Sequence, residues 1–309
     1  MAWARRALGT GHHGPVTDEA AKETTVATLR AGDAVDAIFA CARKDRLTTK
    51  SGAPYLTLEL RDRTGAIGGR VFKDADRLAG RFERGELVRV RATVERFREE
   101  LQLDVANIAT APEGSADPAR FLPVAYRDLD ELDGFLEHLA GEVHDPGYAG
   151  LLTHLLGHAE LRAAWRLAPC APRAGHHAYL GGLLEHTVAV GTLALEACQL
   201  HPRLNSDLLV TAALVHDLGK TREYTYGAEI ELSDAGRLLG HVELGLRLLE
   251  EHAGSLDAAR RLQLAHCVLT HHGADAAPHR RFGSPEALAL FRVNALDAAV
   301  KGALEHGLG

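Results

Sequence analysis

The hydrophobic period of this chain changes once, and that change divides what each half can form. Up to residue 112, apolar residues recur at every second position. Val35, Ala37, Phe39 and Cys41 alternate with other residues, and Leu56, Leu58 and Leu60 alternate with Tyr55, Thr57, Glu59 and Arg61. Alternation marks a strand with one buried face. Beyond residue 125 the apolar positions take helical spacing, as in Leu129, Leu132, Phe135, Leu136 and Leu139, which is the stripe of an amphipathic helix. Between the halves lies Ala111-Pro112-Glu113-Gly114-Ser115-Ala116-Asp117-Pro118, with Pro123 beyond it, a linker by composition. A chain of 309 residues is long enough for two units with separate cores. The expected order is a loose tail over 1–21, a β-rich unit over 22–112, a linker over 113–124 and a helical unit over 125–309.

In the β-rich unit, Lys50-Ser51-Gly52-Ala53-Pro54 and Asp62-Arg63-Thr64-Gly65 read as turns. Ile67 to Phe72 forms a third strand, Asp74 to Phe82 a short helix, and Leu87–Val94 and Leu101–Val105 the last two strands. Five strands with a helix between the third and fourth is the layout of an OB-fold barrel. Such barrels hold single strands with basic side chains on the backbone and aromatic rings under the bases. The candidates here are Arg43, Lys44, Lys50, Tyr55, Arg70, Phe72, Lys73 and Arg98. Aromatic residues make up only 5% of the chain, so a stacking platform would rest on few rings. Tyr55 and Phe72 also suit a barrel core.

Charge and histidine separate the two halves further. Residues 22–112 hold 17 Lys and Arg against 14 Asp and Glu, with no histidine; residues 113–309 hold 16 against 26, with 16 of the 18 histidines. A mildly basic unit is therefore joined to an acidic, histidine-rich one, the division expected of a binding module and a metal-using module. The whole carries a net charge of −7, so nucleic-acid contact requires a localised basic path. No apolar run reaches the roughly 18 residues that span a bilayer, and the N-terminus lacks a signal peptide's apolar stretch. A cytoplasmic protein with no membrane partner is expected. Cys41, Cys170, Cys198 and Cys267 are scattered without a Cys-x-x-Cys pair, which suits reduced thiols.

Within the helical half, Leu208 to Val215 is an apolar run that leads into His216-Asp217-Leu218-Gly219-Lys220. An adjacent His-Asp pair at a helix end brings an imidazole and a carboxylate to one point, a donor set suited to Mn²⁺, Mg²⁺ or Fe²⁺. His186 lies 30 residues before His216, and His241, His271-His272 and Asp297 follow at intervals of 25, 30 and 26. Each interval is about one helix and a connection, so each donor comes from a different helix toward one interior, as bundles build dinuclear sites. His138, His144, His154, His158, His201, His252 and His306 have no place in that series, and His12-His13 belongs to the tail.

Both halves resemble one family in the right order. The first carries Ser51-Gly52-Ala53-Pro54-Tyr55-Leu56 and Asp62-Arg63-Thr64-Gly65-Ala66-Ile67. The second carries His176-His177-Ala178-Tyr179-Leu180-Gly181-Gly182-Leu183-Leu184-Glu185-His186-Thr187, then His216-Asp217-Leu218-Gly219-Lys220, Glu223-Tyr224, Ser233 to His241, His271-His272-Gly273 and Ser284-Pro285-Glu286-Ala287. Over roughly residues 30–300 the chain resembles the YhaM family of 3′→5′ exonucleases, an OB-fold joined to an HD-type phosphohydrolase domain. The resemblance implies an α+β multidomain protein: a five-stranded OB-fold barrel followed by an all-α HD-type bundle. It implies hydrolysis of single-stranded RNA or DNA to nucleoside 5′-monophosphates with two divalent cations, Mn²⁺ foremost, with Mg²⁺, Co²⁺ or Fe²⁺ as alternatives. One ion would sit on His186, His216 and Asp217 with Asp297 or Asn294, and the other on Asp217, His241 and His271 with His272. Lys220 would neutralise the scissile phosphate, or serve as a helix C-terminal cation, while His177 and Tyr179 would position the 3′ end. Self-association is left open. The chain departs from the family at Val293-Asn294-Ala295-Leu296-Asp297-Ala298, where the first acid of a pair is Asn294, and over Ala274 to Arg281. Asparagine offers a carbonyl oxygen but no charge. Two other readings stand beside this one: a phosphohydrolase of small nucleotides, and a single-strand-binding protein with a degenerate metal site.

Overall fold

A computed structural model describes residues 24–112, 114–172, 175–254 and 256–307. The tail expected over 1–21, with His12 and His13, lies outside the described residues.

The alternating half forms a closed barrel of β1 (Ala34–Thr48), β2 (Pro54–Asp62), β3 (Gly65–Val71), β4 (Leu87–Phe97) and β5 (Glu100–Thr110). The strand order is β1-β2-β3-β5-β4, and a short parallel pairing of Gly68 to Arg70 with Gln102 to Asp104 closes it. The period-2 pattern sends Leu56, Leu58 and Leu60 of β2, and Val88, Val90 and Val94 of β4, into the interior. The intervening Arg89 and Arg91 face out and share the Asp36 carboxylate of β1 at 2.7 and 3.0 Å. Asp62 accepts from the backbone and hydroxyl of Thr64 at 2.7 and 2.6 Å, an Asx turn that reverses the chain between β2 and β3. The helix α1 (Ala75–Ala79) lies between β3 and β4, and its Leu78 plugs the core.

The second half consists of α2 (Leu129–Gly141), α3 (Pro146–Gly157), α4 (Ala159–Leu167), α5 (Gly182–Leu200), α6 (Ser206–Val215), α7 (Lys220–Glu223), α8 (Asp234–His252), α9 (Ala258–Thr270) and α10 (Pro285–His306). Each of α2, α3, α6, α8, α9 and α10 begins at an Asp, Asn or Ser whose side chain accepts from the first turn, which satisfies otherwise orphaned N–H groups. The helix α6 is buried on all sides from Leu208 onward and packs against α2, α5, α9 and α10. A helix that is apolar all round belongs at a bundle centre, and this one delivers His216 and Asp217 there.

Two elements of the bundle differ from the expectation. The nine-residue α4 lies outside the expected helices: it is short, and its buried stripe consists of only Leu161 and Trp165. The bundle also contains a hairpin of β6 (Tyr224–Tyr226) and β7 (Ile230–Leu232), whose three-residue arms fall below the length at which alternation is readable. Its tip reaches the barrel: Arg61 of β2 donates to the Ala228 carbonyl at 2.9 Å, and Ala228 packs with Ala40 and Phe121. Among the described residues, no helix is long and apolar enough to cross a membrane.

Candidate metal centre and nucleic-acid face

Segments from four helices meet inside the bundle. His186 comes from the first turns of α5, His216 and Asp217 follow α6, His241 lies early in α8, and His271 and His272 follow α9. His186, His216 and His271 are fully buried, and Asp217 nearly so. The approach is close because two glycines permit it. A Cβ on Gly219 would stand 2.0 Å from the His241 carbonyl oxygen and 2.4 Å from the Gly245 nitrogen, and one on Gly182 would stand 2.1 Å from the His177 carbonyl oxygen.

The hydrogen bonds on the outer ring nitrogens fix what the inner ones present. Nδ1 of His216 faces the Ala213 carbonyl at 2.9 Å, and Nδ1 of His271 faces the Val268 carbonyl at 2.6 Å. A carbonyl only accepts, so each Nδ1 carries the proton and each Nε2 is left with a lone pair. The carboxylates Asp297 and Glu223 do the same for the other two rings. Asp297 Oδ2 accepts from Nδ1 of His186 at 2.6 Å, and Glu223 Oε1 accepts from Nδ1 of His241 at 3.1 Å and from its backbone N–H at 2.9 Å.

The inward lone pairs converge in two groups that share Asp217. Oδ2 of Asp217 lies 3.5 Å from Nε2 of His186 and 3.4 Å from Nε2 of His216, and those two nitrogens are 3.2 Å apart. Oδ1 lies 3.4 Å from Nε2 of both His241 and His271, and Nε2 of His272 is 2.9 Å from that of His241. In each group the donor atoms lie within 4.8 Å of one another. Oδ1 of Asp217 and Nε2 of His271 are buried without a hydrogen-bond partner. Two lone pairs facing each other in a dry interior repel, and a cation between them removes the cost. The donor set is imidazole and carboxylate, which suits divalent transition metals, so the residues present fit the ions the fold implies.

Electrostatics keep these atoms in ligand form. Burial alone would raise the Asp217 carboxyl, but Lys220 and His216 hold it well below the ordinary carboxylate range. Burial pushes His186 down to about 4 and His272 down to about 3, and also lowers His271. At neutral pH these rings are uncharged, as a metal requires.

Several expected site residues have other duties. Asp297 is not in either donor group with Asp217; it bonds the outer nitrogen of His186 and also Nε2 of His177 at 3.1 Å. Asn294 is buried, and its amide donates to the His271 carbonyl at 3.2 Å, which secures the end of α9. Lys220 is buried, with Nζ at 3.0 Å from Asp217 Oδ2, 2.7 Å from the Cys170 carbonyl and 3.3 Å from Cys170 Sγ. Its three protons are engaged by these groups, and the contact with Oδ2 orients the Asp217 carboxylate. His177, held at φ 54°, is enclosed: Nδ1 donates to the Tyr179 hydroxyl at 2.8 Å, which donates to Glu185 at 2.7 Å. Burial opposes charge on His177, but Asp297 and Glu185 outweigh it and raise the ring. His177 and Tyr179 thus tie the start of α5 to α10 through Glu185 and Asp297.

On the barrel, Tyr55 and Phe72 stack with centroids 5.5 Å apart and planes at 24°. The Arg70 guanidinium lies 5.8 Å from the Tyr55 ring and 5.9 Å from that of Phe97, and Arg98 lies 5.3 Å from Phe97. Phe72 is 53% exposed and Phe97 48% exposed, so this is a surface platform of rings and guanidinium groups. Phe97 was not among the expected residues. It lies beyond Val94, where the regular alternation ends, although β4 continues through it. Lys50, Lys73 and Arg43 are exposed, with Arg43 paired to Asp45 at 2.5 Å. Lys44 does not belong to this face: Nζ is tied to the carbonyls of Ala79 and Phe82 at 2.8 and 2.6 Å, anchoring α1 to the barrel. Glu223 and Cys170 of the metal centre were likewise not anticipated as site residues. For Glu223 a signal existed in its place three residues after Lys220.

Comparison with known proteins agrees with this division. Residues 183–299 match the HD domain family, and residues 41–110 match the family described as OB-fold nucleic acid binding domain. The 3′-5′ exoribonuclease YhaM of Shouchella clausii (strain KSM-K16) is 29% identical over 284 residues, covering 88% of this chain and 85% of that protein. The protein of the same name from Bacillus velezensis is 29% identical over 276 residues, covering 86% and 85%. The two domain matches fall in order along the chain, paired donor groups are assembled in the second, and over most of its length the chain is similar to the 3′-5′ exoribonucleases named YhaM.

Proposed function

We propose that this protein is a metal-dependent 3′→5′ exonuclease that grips a single strand on its barrel and releases nucleoside 5′-monophosphates at the bundle. The observation that carries the reading is the pair of lone-pair clusters on the two oxygens of Asp217. One ion would be held by His186, His216 and Asp217, the other by Asp217, His241, His271 and His272. When bound, such ions lower the pKa of water and stabilise charge on phosphoryl oxygens. The protein's own part is to hold the donors. Lys220 fixes the Asp217 carboxylate, Asp297 and Glu223 fix two rings, and Asn294 fixes the end of α9. The mixed imidazole and carboxylate donors can hold Mn²⁺, the ion proposed here, and equally Co²⁺ or Fe²⁺, with Mg²⁺ as a substitute through the carboxylate. The exposed rings and guanidinium groups of the barrel favour an unpaired strand, RNA or DNA, because stacking needs bases free of a duplex. Four unpaired cysteines support a reducing compartment such as the cytoplasm.

The test is a 5′-labelled oligonucleotide incubated with Mn²⁺. Stepwise shortening from the 3′ end is expected from the native protein, and Asp217→Ala should lose all shortening while still retarding the strand. Turnover of mononucleotides alone, or undiminished shortening by Asp217→Ala, would overturn the reading.

A further inference from the structure

His186 faces a second set of donors. Cys170, in the chain that follows α4, is fully buried. Its Sγ lies 3.9 Å from Nε2 of His176 and 3.9 Å from Oδ2 of Asp217. Cys170, His176 and His186 each offer one ligand atom within 4.8 Å of the others. The hydrolytic reading has no use for this thiol or for His176, whose ring centroid lies 5.5 Å from that of His186.

A thiolate with two imidazoles is a softer donor set than the groups around Asp217, and it selects Zn²⁺ or Co²⁺ over Mn²⁺ or Mg²⁺. Zinc bonds of about 2.3 Å to sulfur and about 2.0–2.1 Å to nitrogen place the two donors about 3.6 Å apart in a tetrahedron. The 3.9 Å between Cys170 and His176 therefore closes by a small side-chain adjustment. Three charged or titratable groups face the sulfur: Lys220 at 3.3 Å, Asp217 and His176. Burial pushes the Cys170 thiol up to about 12, and the Lys220 ammonium, which donates to the sulfur, offsets part of that; a bound cation supplies the remaining stabilisation of the thiolate. His186 has one nitrogen to give, since Nδ1 donates to Asp297. One lone pair serves one ion, so the soft set and the His186, His216 and Asp217 set cannot both be complete.

We propose that Cys170, His176 and His186 form a binding site for a thiophilic divalent cation such as Zn²⁺, and that filling it withdraws His186 from the catalytic set and stops hydrolysis. The thiol gives its proton to solvent as the cation binds. This proposal rests on the metal-centre reading, and its test separates the two.

The full-length protein is titrated with Co²⁺ and its near-ultraviolet absorption recorded. A sulfur-to-cobalt charge-transfer band is expected, absent in Cys170→Ala and weakened or shifted in His176→Ala, which keeps the thiol. In parallel, Zn²⁺ is added to the Mn²⁺-loaded protein degrading a labelled oligonucleotide, with each rate expressed relative to that variant's own Mn²⁺ rate. Near-equimolar Zn²⁺ should inhibit the native protein. Each variant should need more, by at least the roughly 10–100-fold that even an outer-shell change costs in metal affinity. Absence of the band in the native protein, or equal Zn²⁺ sensitivity in all three proteins, would overturn the proposal. If the native protein does not shorten oligonucleotides at all, the exonuclease reading fails, while the cobalt band, which needs no substrate, still reports on the thiolate site.

Discussion

Each inward histidine of the centre has its two nitrogens set to different tasks, and the outer partner decides the inner chemistry. Two of those partners are carboxylates, and they serve different donor groups: Asp297 steadies His186, and Glu223 steadies His241. Replacing a partner of this kind costs roughly 10–100-fold in metal affinity. Calorimetric titration with Mn²⁺ should show Glu223→Gln weakening one binding step and Asp297→Asn the other; unchanged isotherms would remove both residues from the centre. Glu185 allows a pH argument. Burial would raise its carboxyl, but His177, Tyr179 and Lys301 hold it down at about 2, against an ordinary value of 4.5. A depressed carboxyl stabilises the fold above its unfolded pKa and loses that contribution as pH falls toward its folded one. The gap in urea midpoint between the native protein and Glu185→Gln should therefore be full at pH 7 and close between about pH 4.5 and 2. At this scale the sequence was partly legible. The intervals among His186, His216, His241 and His271 follow from helix length, so the gathering of those rings could be foreseen. Whether Asp297 faces an ion or a ring nitrogen depends on the rotation of α10, which spacing does not set. The same holds for Asn294, whose amide meets the His271 carbonyl.

At the scale of elements, the centre depends on how closely α8 approaches the turn after α6. Gly219 lies in ordinary helical backbone at φ −61°, so it is there for space, not for torsion. A methyl group at this position meets backbone atoms of α8 at 2.0 and 2.4 Å, and backbone cannot rotate aside as a side chain can. Gly219→Ala should therefore cost about 1–3 kcal/mol or more from overpacking. It should also move His241 away from Asp217, so a lower urea midpoint would accompany loss of the second Mn²⁺ in metal analysis. A stable variant with both ions would show that α8 yields without consequence. Long periodic stretches such as α5 and α9 could be read from the chain, because a sustained apolar stripe has few alternatives. The β6–β7 hairpin could not: Tyr224 to Tyr226 and Ile230 to Leu232 are only half-buried or exposed and owe their pairing to the ends that hold them.

Across the whole molecule, binding and hydrolysis fall on separate domains with opposite charge balances, which resolves how a chain of net charge −7 can hold a polyanion. On the proposed reading the arginines around Phe97 would supply the local basic path, while the acidic excess lies in the helical half. Removing the Phe97 ring should then weaken strand binding without touching the chemistry. Stacking contributes about 1–3 kcal/mol per base. Phe97→Ala should raise the dissociation constant for a long single strand, read by fluorescence anisotropy, while kcat on a dinucleotide stays unchanged. A fall in dinucleotide turnover would mean the barrel contributes to the reaction itself. The hairpin joins these domains in an unusual way. Its base is Glu223, which supports His241, and its tip is clamped to the barrel by Arg61. A brace of this sort would act as a ruler where a slack tether would not: on the proposed reading, affinity should drop at one strand length, the one that no longer bridges grip and blade, and digestion of dilute substrate should slow sharply there.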